Sequence, residues 1–418
     1  MEILKNKYFT LHLAITLFAQ AGSFFTIVAM PWLVLNISNN NPWIMSSVMA
    51  VGALPQALFM ILGGVISDRF SAIRIIIISR LGILLLLATI AVCIKIDVIS
   101  LPLIYFFAFS IGVLSAILTP SSQALLPAIV ASNQLSIANA LFIGSMQISQ
   151  ILGPLMAGWF IYWSKNIDGS TDANNLAYAN AFLIEVIILL IVIPLSAFIR
   201  TNHKIIAANN PMKMLREGLS FCWNDLGIRL VLSYLILVSL FLNGTMMACL
   251  PIFIKIHLGL GEQIYGNLYA MIGIGTITGI AFSIIFKPSH KNLGMIVLLC
   301  DLINAICLIG LSQITHFNMA IPILLIMGAC GGLVMSTGTT WFQLRTPGYL
   351  MGRVMSILLF CIYGLIPVST AITGYLLLFY DSSFVMRMAG LFIVLITLIG
   401  FSFPTVRMMG NIKPIQIN

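Results

Sequence analysis

Long apolar runs recur along this chain, each about the length that crosses a bilayer and each closed by a short polar break. They occupy residues 9–36, 43–66, 75–95, 100–120, 135–163 and 176–199. After a polar stretch from Arg200 to Gly227 they resume at 228–254, 263–286, 293–312, 319–343, 351–379 and 385–406. Charged residues make up 7% of the 418 residues, against about 25% in soluble domains, so the main solvent of the surface is lipid. A backbone in lipid must satisfy its own hydrogen bonds, and runs of this length do so as helices. The expected fold is all-α: twelve transmembrane helices in two six-helix bundles. The first bundle falls within 1–200 and the second within 228–418, which ends in a short tail; 201–227 is the linker.

Charge placement tests this map. Of the twenty Lys and Arg residues, fifteen fall in breaks on the side of both termini. Four, Lys95, Lys165, Lys255 and Arg387, fall on the other side, and Arg80 lies inside the third segment. Positive loops stay in the cytoplasm, so both termini are expected there, in a multi-pass protein of the bacterial inner membrane. The formal charge of +9 therefore reports topology and not a nucleic-acid partner. Lys5, Lys7 and Ala19-Gln20-Ala21 mimic a signal peptide, but the apolar run continues to Leu35, too long for one. In the linker, Met212, Leu215, Leu219 and Cys222 share one helical face, opposite Lys213, Arg216, Glu217, Ser220 and Asn224. That pattern predicts a helix lying on the membrane surface.

Several chemistries are excluded. The seven cysteines are scattered through apolar runs without a CxxC pair, so neither a metal site nor a disulfide framework is expected. No Gly-x-x-x-x-Gly-Lys-Ser/Thr loop is present to hold ATP, and no HExxH or GxSxG motif marks an enzyme. No cofactor is expected.

The break after the second segment reads Gly64-Val65-Ile66-Ser67-Asp68-Arg69-Phe70-Ser71-Ala72-Ile73-Arg74. Gly64 permits close helix approach, Asp68 can accept hydrogen bonds or pair with an arginine, and Arg69 and Arg74 anchor the loop. This loop resembles the signature Gly-x-x-x-Asp-Arg-x-Gly-x-Arg-Arg of the major facilitator superfamily, departing from it at Ser71 and Ile73. The resemblance implies that Gly64, Asp68, Arg69 and Arg74 form a conformational latch; a purely topological role for the charges stays open. The equivalent loop of the second half, Phe286 to Leu293, keeps Lys287 and Lys291 without the acid. In the fifth segment Gly153, Pro154 and Gly158 resemble a degenerate form of that superfamily's Gly-Pro antiporter motif. Tight packing alone explains them equally well. Three more stretches are similar to the branch of macrolide-efflux and enterobactin-type siderophore exporters. They are Thr119 to Ala140, Met214-Leu215-Arg216-Glu217-Gly218, and Pro347 to Ser356.

What the resemblance implies is a secondary transporter that works by alternating access, with segments 1, 4, 7 and 10 lining a central cavity. Its expected partners are a small-molecule cargo, membrane lipid and protons, and it is expected to act as a monomer. Ionisable groups inside lipid are functional candidates, which singles out Asp301, Glu185, Arg80 and His12 for proton coupling; structural pairing is the alternative. Segments 1, 4, 7 and 10 contain no Asp or Glu, so the cargo is expected to be neutral or anionic. Gln20, Asn243, Thr337, Thr340 and Gln343 offer polar contacts there, and Trp341 and Tyr363 offer aromatic ones. Proton-coupled export of a siderophore-like or antibiotic-like molecule is the expectation. Import of a siderophore or metabolite, and lipid flipping, remain open on the same fold.

Overall fold

The computed structural model describes residues 2–69, 71–131, 134–168, 173–199, 211–286, 289, 292–347 and 350–408, without the side chains of 2, 59–69, 136, 167, 168, 173, 211–215 and 405. Its described residues are helical throughout, with no strand. The chain forms two compact units: Met1–Ala208 with Ile254–Ala270, and Asn209–Phe253 with Met271–Asn418.

The first unit holds α1 (Lys7–Ile37), α2 (Pro42–Arg69), α3 (Ala72–Lys95), α4 (Leu101–Ala124), the short α5 (Leu126–Ile129), α6 (Leu135–Asp168) and α7 (Ala173–Ala197). Asn6 starts α1: its Oδ1 accepts from Tyr8 N and Phe9 N, while its Nδ2 donates to Ile129 O at 2.8 Å. One residue thus caps a helix and ties it to α5. α1 packs against α6 and α7, α2 against α4, and α3 against α4 and α7. Phe9, Ile76, Leu126, Phe142, Val192 and Ile199 close one end of this bundle. On α3, Ile76, Ile83, Leu87 and Ile90 are buried, whereas Ile78, Leu85 and Val92 are exposed, at 68%, 58% and 53%. An outward isoleucine–leucine–valine row seven residues apart belongs in lipid, not water.

The second unit begins with α8 (Pro211–Asn224) and α9 (Leu226–Ile252). α10 (Glu262–Phe286) starts in the first unit and continues in the second. Then come α11 (Leu293–Leu311), α12 (Phe317–Arg345), α13 (Met351–Tyr363), α14 (Ile366–Leu376), α15 (Ser382–Ser402) and α16 (Pro404–Arg407). α11 packs on α12 and α15, and α9 on α14 and α15. Glycines seat α10 on α12: a Cβ on Gly279 would meet Ala329 O, and one on Gly332 would meet Thr276 O.

Eleven helices among the described residues are long and apolar enough to cross a membrane. α2, whose side chains are only partly described, is a further helix of 28 residues. Two details differ from the sequence reading. The expected continuous helix over 351–379 is broken between α13 and α14, because Pro367 lacks the N–H that would bond back across Gly364 and Leu365. The apolar face expected for α8 is divided. Cys222 is buried with Phe221 and Gly218, while Leu219 is 49% exposed. The reason is packing: α8 turns Gly218 toward Arg353 and Ile357 of α13, which leaves Leu219 facing outward.

Candidate functional site

In the first unit, Glu185 of α7 is buried among apolar neighbours, and its Oε2 accepts from Thr26 Oγ1 of α1 at 2.6 Å. No Lys or Arg pairs with it among the described residues. Arg80 of α3 is 4% exposed and donates from Nη1 to Ser196 Oγ of α7 at 2.8 Å. His12 of α1 stacks on Phe142 with ring centroids 5.6 Å apart.

The same unit contains a polar cluster at the other end of α6. Lys165 Nζ lies 2.5 Å from Glu262 Oε1, and Tyr178 OH donates to the same oxygen at 2.6 Å. Just below it runs the Gly153-Pro154-Gly158 stretch. A Cβ on Gly158 would lie 2.7 Å from Glu262 O, and one on Gly266 would meet Pro154 O. Bare backbone on both sides is what brings Glu262 within reach of Lys165 and Tyr178. Gly153 has a different neighbour, the Phe24 ring.

In the second unit Asp225 performs two tasks. It caps α9, with Oδ1 accepting from Ile228 N at 3.0 Å. The same carboxylate receives Arg345 Nε at 3.0 and 2.9 Å and Arg345 Nη2 at 2.9 Å. Both side chains are almost wholly buried, and the Arg345 guanidinium lies over the Trp341 ring at 5.0 Å. A Cβ on Gly227 would press on that guanidinium at 3.1 Å, so the glycine makes room for the pair. Close by, Arg353 of α13 pairs with Glu217 of α8. Two of the stretches singled out in the sequence, around Glu217-Gly218 and around Arg353, therefore meet each other.

Asp301 of α11 is the remaining intramembrane carboxylate, 5% exposed. Tyr234 of α9 and Asn304 of α11 are its polar neighbours, and Tyr234 OH lies 3.2 Å from Thr397 Oγ1 of α15. Asp301 Oδ2 and Asn304 Oδ1 are buried and receive no donor among the described residues.

Other residues singled out in the sequence are placed as follows. Thr337 and Thr340 bond back to Leu333 O and Ser336 O of their own helix. Trp341 is buried under Arg345, Gln343 and Tyr363 are exposed, and Gln20 is half-buried. Asn243 Nδ2 donates to Ile362 O at 3.4 Å. Arg74 is exposed in the first turn of α3; the side chains of Gly64, Asp68 and Arg69 lie outside the described residues. Asp225, Tyr178 and Glu262 were not among the candidates. Asp225 carried a usable signal, a capping residue directly before an apolar run. No described residues cluster as metal ligands.

Helical bundles that bury carboxylates and a guanidinium at membrane depth, in a chain without catalytic motifs, define a membrane transporter of the major facilitator type. Solved structures share this fold. A POT family transporter in complex with 5-aminolevulinic acid is similar with a TM-score of 0.74 at 13% identity, covering 95% of this chain and 96% of that one. A D-xylose-proton symporter gives 0.73 at 14% identity, with 98% of each chain covered. A bacterial homologue of the human lysosomal transporter Spinster, inward-facing and unoccupied, gives 0.68 at 12% identity over 97% of both. No curated protein matches the sequence. The chain belongs to the transmembrane secretion effector family, whose profile matches residues 2–415.

Proposed function

We propose that the chain exports a small organic molecule, siderophore-like or antibiotic-like, across the bacterial inner membrane in exchange for protons. It works as a monomer with both termini cytoplasmic, by alternating access of the helices of 1–200 and 228–418 about the linker. Gly64, Asp68, Arg69 and Arg74 serve as the conformational latch. The observation that carries the proton assignment is Asp301. Its Oδ2 and the nearby Asn304 Oδ1 are both acceptors without a donor among the described residues. A proton on Asp301 removes the buried charge and turns the carboxyl into a donor, which suits a group that loads and releases a proton. Glu185, bonded to the Thr26 hydroxyl and paired with no Lys or Arg among the described residues, supports a second proton site in the first unit. α1, α4, α9 and α12 carry no Asp or Glu, which favours neutral or anionic cargo over permanent cations.

The test uses proteoliposomes with an imposed pH gradient and two probe cargoes, erythromycin and a catecholate siderophore. Wild type is expected to concentrate a probe against its gradient. Asp301→Asn is expected to lose concentration while keeping cargo-for-cargo exchange. An Asp301→Asn protein that still concentrates the probe like wild type would refute the proton assignment. Accumulation in the opposite sense would assign import.

A further inference from the structure

The first unit contains a charge that no described ion pair answers. Arg80 is buried, and a guanidinium does not lose its proton inside a protein. A carboxyl in such a place can neutralise itself, but an arginine needs an anion. None of the ion pairs among the described residues involves Arg80. Its Nη1 bond goes to the Ser196 hydroxyl, a neutral group that is already donating to Val192 O at 2.8 Å. The Arg80 Nε is buried without a partner.

Two more unanswered atoms come from α1. His12 is 1% exposed beside the Ser122 backbone, and its Nε2 is buried and unpartnered among the described residues; Arg80 is the charge that acts on it. Thr16, one turn further along the same face, has a buried and unpartnered hydroxyl. Arg80 lies eight residues beyond Ala72, roughly 12 Å along α3 at the usual helical rise. Ser196 is next to the last residue of α7, and His12 is in the second turn of α1, so these groups lie toward one end of the bundle.

We propose that Arg80, Thr16 and Ser196 form a binding site for a small monovalent anion, either a halide or the carboxylate of a small organic acid. Arg80 supplies the charge and the Nε donor, the Thr16 hydroxyl a second donor, and Ser196 holds the guanidinium plane. His12, stacked on Phe142, walls the site and offers a further donor only when protonated. The site is separate from the proton-carrying carboxylates and does not depend on which cargo is moved.

The test uses the purified full chain in detergent, exchanged into sodium sulfate, with unfolding followed by tryptophan fluorescence. Sodium chloride and sodium acetate are titrated at constant ionic strength, with choline chloride as the cation control. The expected result is a saturable rise in unfolding temperature with chloride or acetate, independent of the cation. The anion with the lower half-saturating concentration identifies the site as one for halide or carboxylate. Thr16→Val is expected to raise that concentration several-fold, and Arg80→Met to abolish the shift. Should Arg80→Met fail to fold, the Thr16→Val displacement carries the test. Equal shifts with added sodium sulfate and sodium chloride, or a shift that survives Arg80→Met, would overturn the proposal. A third arm uses Asp68→Asn. An anion response seen only in that variant would identify Asp68 as the counter-ion and overturn the site as well.

Discussion

The pair formed by Asp225 and Arg345 offers a direct test of what holds the second unit together. Their closest atoms are 2.9 Å apart and both side chains are buried. At an effective dielectric of about 20, that separation corresponds to a gross attraction of ~6 kcal/mol, most of it offset by desolvation. Asp225→Asn keeps a residue able to cap α9 but takes the Asp225 carboxylate away from the buried Arg345 charge. The cost is expected at ~3–5 kcal/mol, the usual range when one member of a buried pair is removed. Removing both charges, in Asp225→Asn with Arg345→Met, should fall within ~1 kcal/mol of wild type because no orphan charge remains. Unfolding of a membrane protein in detergent is commonly irreversible, so apparent unfolding temperatures are compared at one scan rate. At ~2–4 °C per kcal/mol for a unit of this size, the single variant should fall by about 10 °C and the double variant should recover most of that. Transport should follow the same order. A double variant as unstable as the single one would show that an orphaned Arg345 charge is not what the single variant loses, and would refute this account of the pair.

Gly266→Ala sets a Cβ against Pro154 O, where both sides are backbone; a loss of ~1–3 kcal/mol and impaired transport are expected, read by thermal unfolding and probe efflux. Glu262→Gln leaves Lys165, 20% exposed, without its anion and should destabilise by ~1–3 kcal/mol, with Lys165→Met restoring stability in the double variant. Burial of Cys222 on α8, with Cys361 and Asp225 nearby, pushes its thiol up to about 12. The neutral thiol suits the folded state, so this group's stabilising contribution is full below the ordinary thiol value and is lost as pH rises from there toward 12. Maleimide labelling of Cys222, followed by peptide mass mapping, should stay negligible in the native protein between pH 7 and 9 and become complete in dodecyl sulfate. Fast native labelling would show that α8 is not seated on α13.

Helix number and position were legible in the sequence because the constraint is one-dimensional: a run either is or is not long and apolar enough to cross oil. The stretches around Glu217 and Arg353 were also visible, though nothing local showed that they form a pair. The polar clusters were much less visible. Lys165 and Glu262 are 97 residues apart, and Asp225 and Arg345 are 120 apart, so only the packed chain brings them together. Arg345 was read as a loop charge that fixes orientation, and Trp341 as a stacking surface for cargo, yet each is the other's neighbour in a buried pair. Thr337 and Thr340 illustrate a general trap. A hydroxyl on a membrane helix looks like a ligand group in sequence, but its cheapest partner is the carbonyl one turn back.

Arg80 and Asp301 bear on how the two units came to differ. Arg80 stands eight residues past the start of α3, and Asp301 stands eight past the start of α11. Within each unit the helix plan around that position is the same. α3 packs on α7, which packs on α1; α11 packs on α15, which packs on α9. In both, the charged residue finds a hydroxyl on a neighbouring helix, Ser196 for Arg80 and Tyr234 for Asp301. One location in a repeated plan thus carries opposite charges, and the chemistry of the two side chains makes the consequences unequal. A carboxyl can discharge itself by taking a proton, so Asp301 can alternate between two states without any other ligand. A guanidinium cannot, so Arg80 stays charged throughout, and no described residue pairs with it as an anion. If Asp301 carries the proton and Arg80 the anion as proposed, the repeat supplies the position and the identity of the residue decides which of the two it takes.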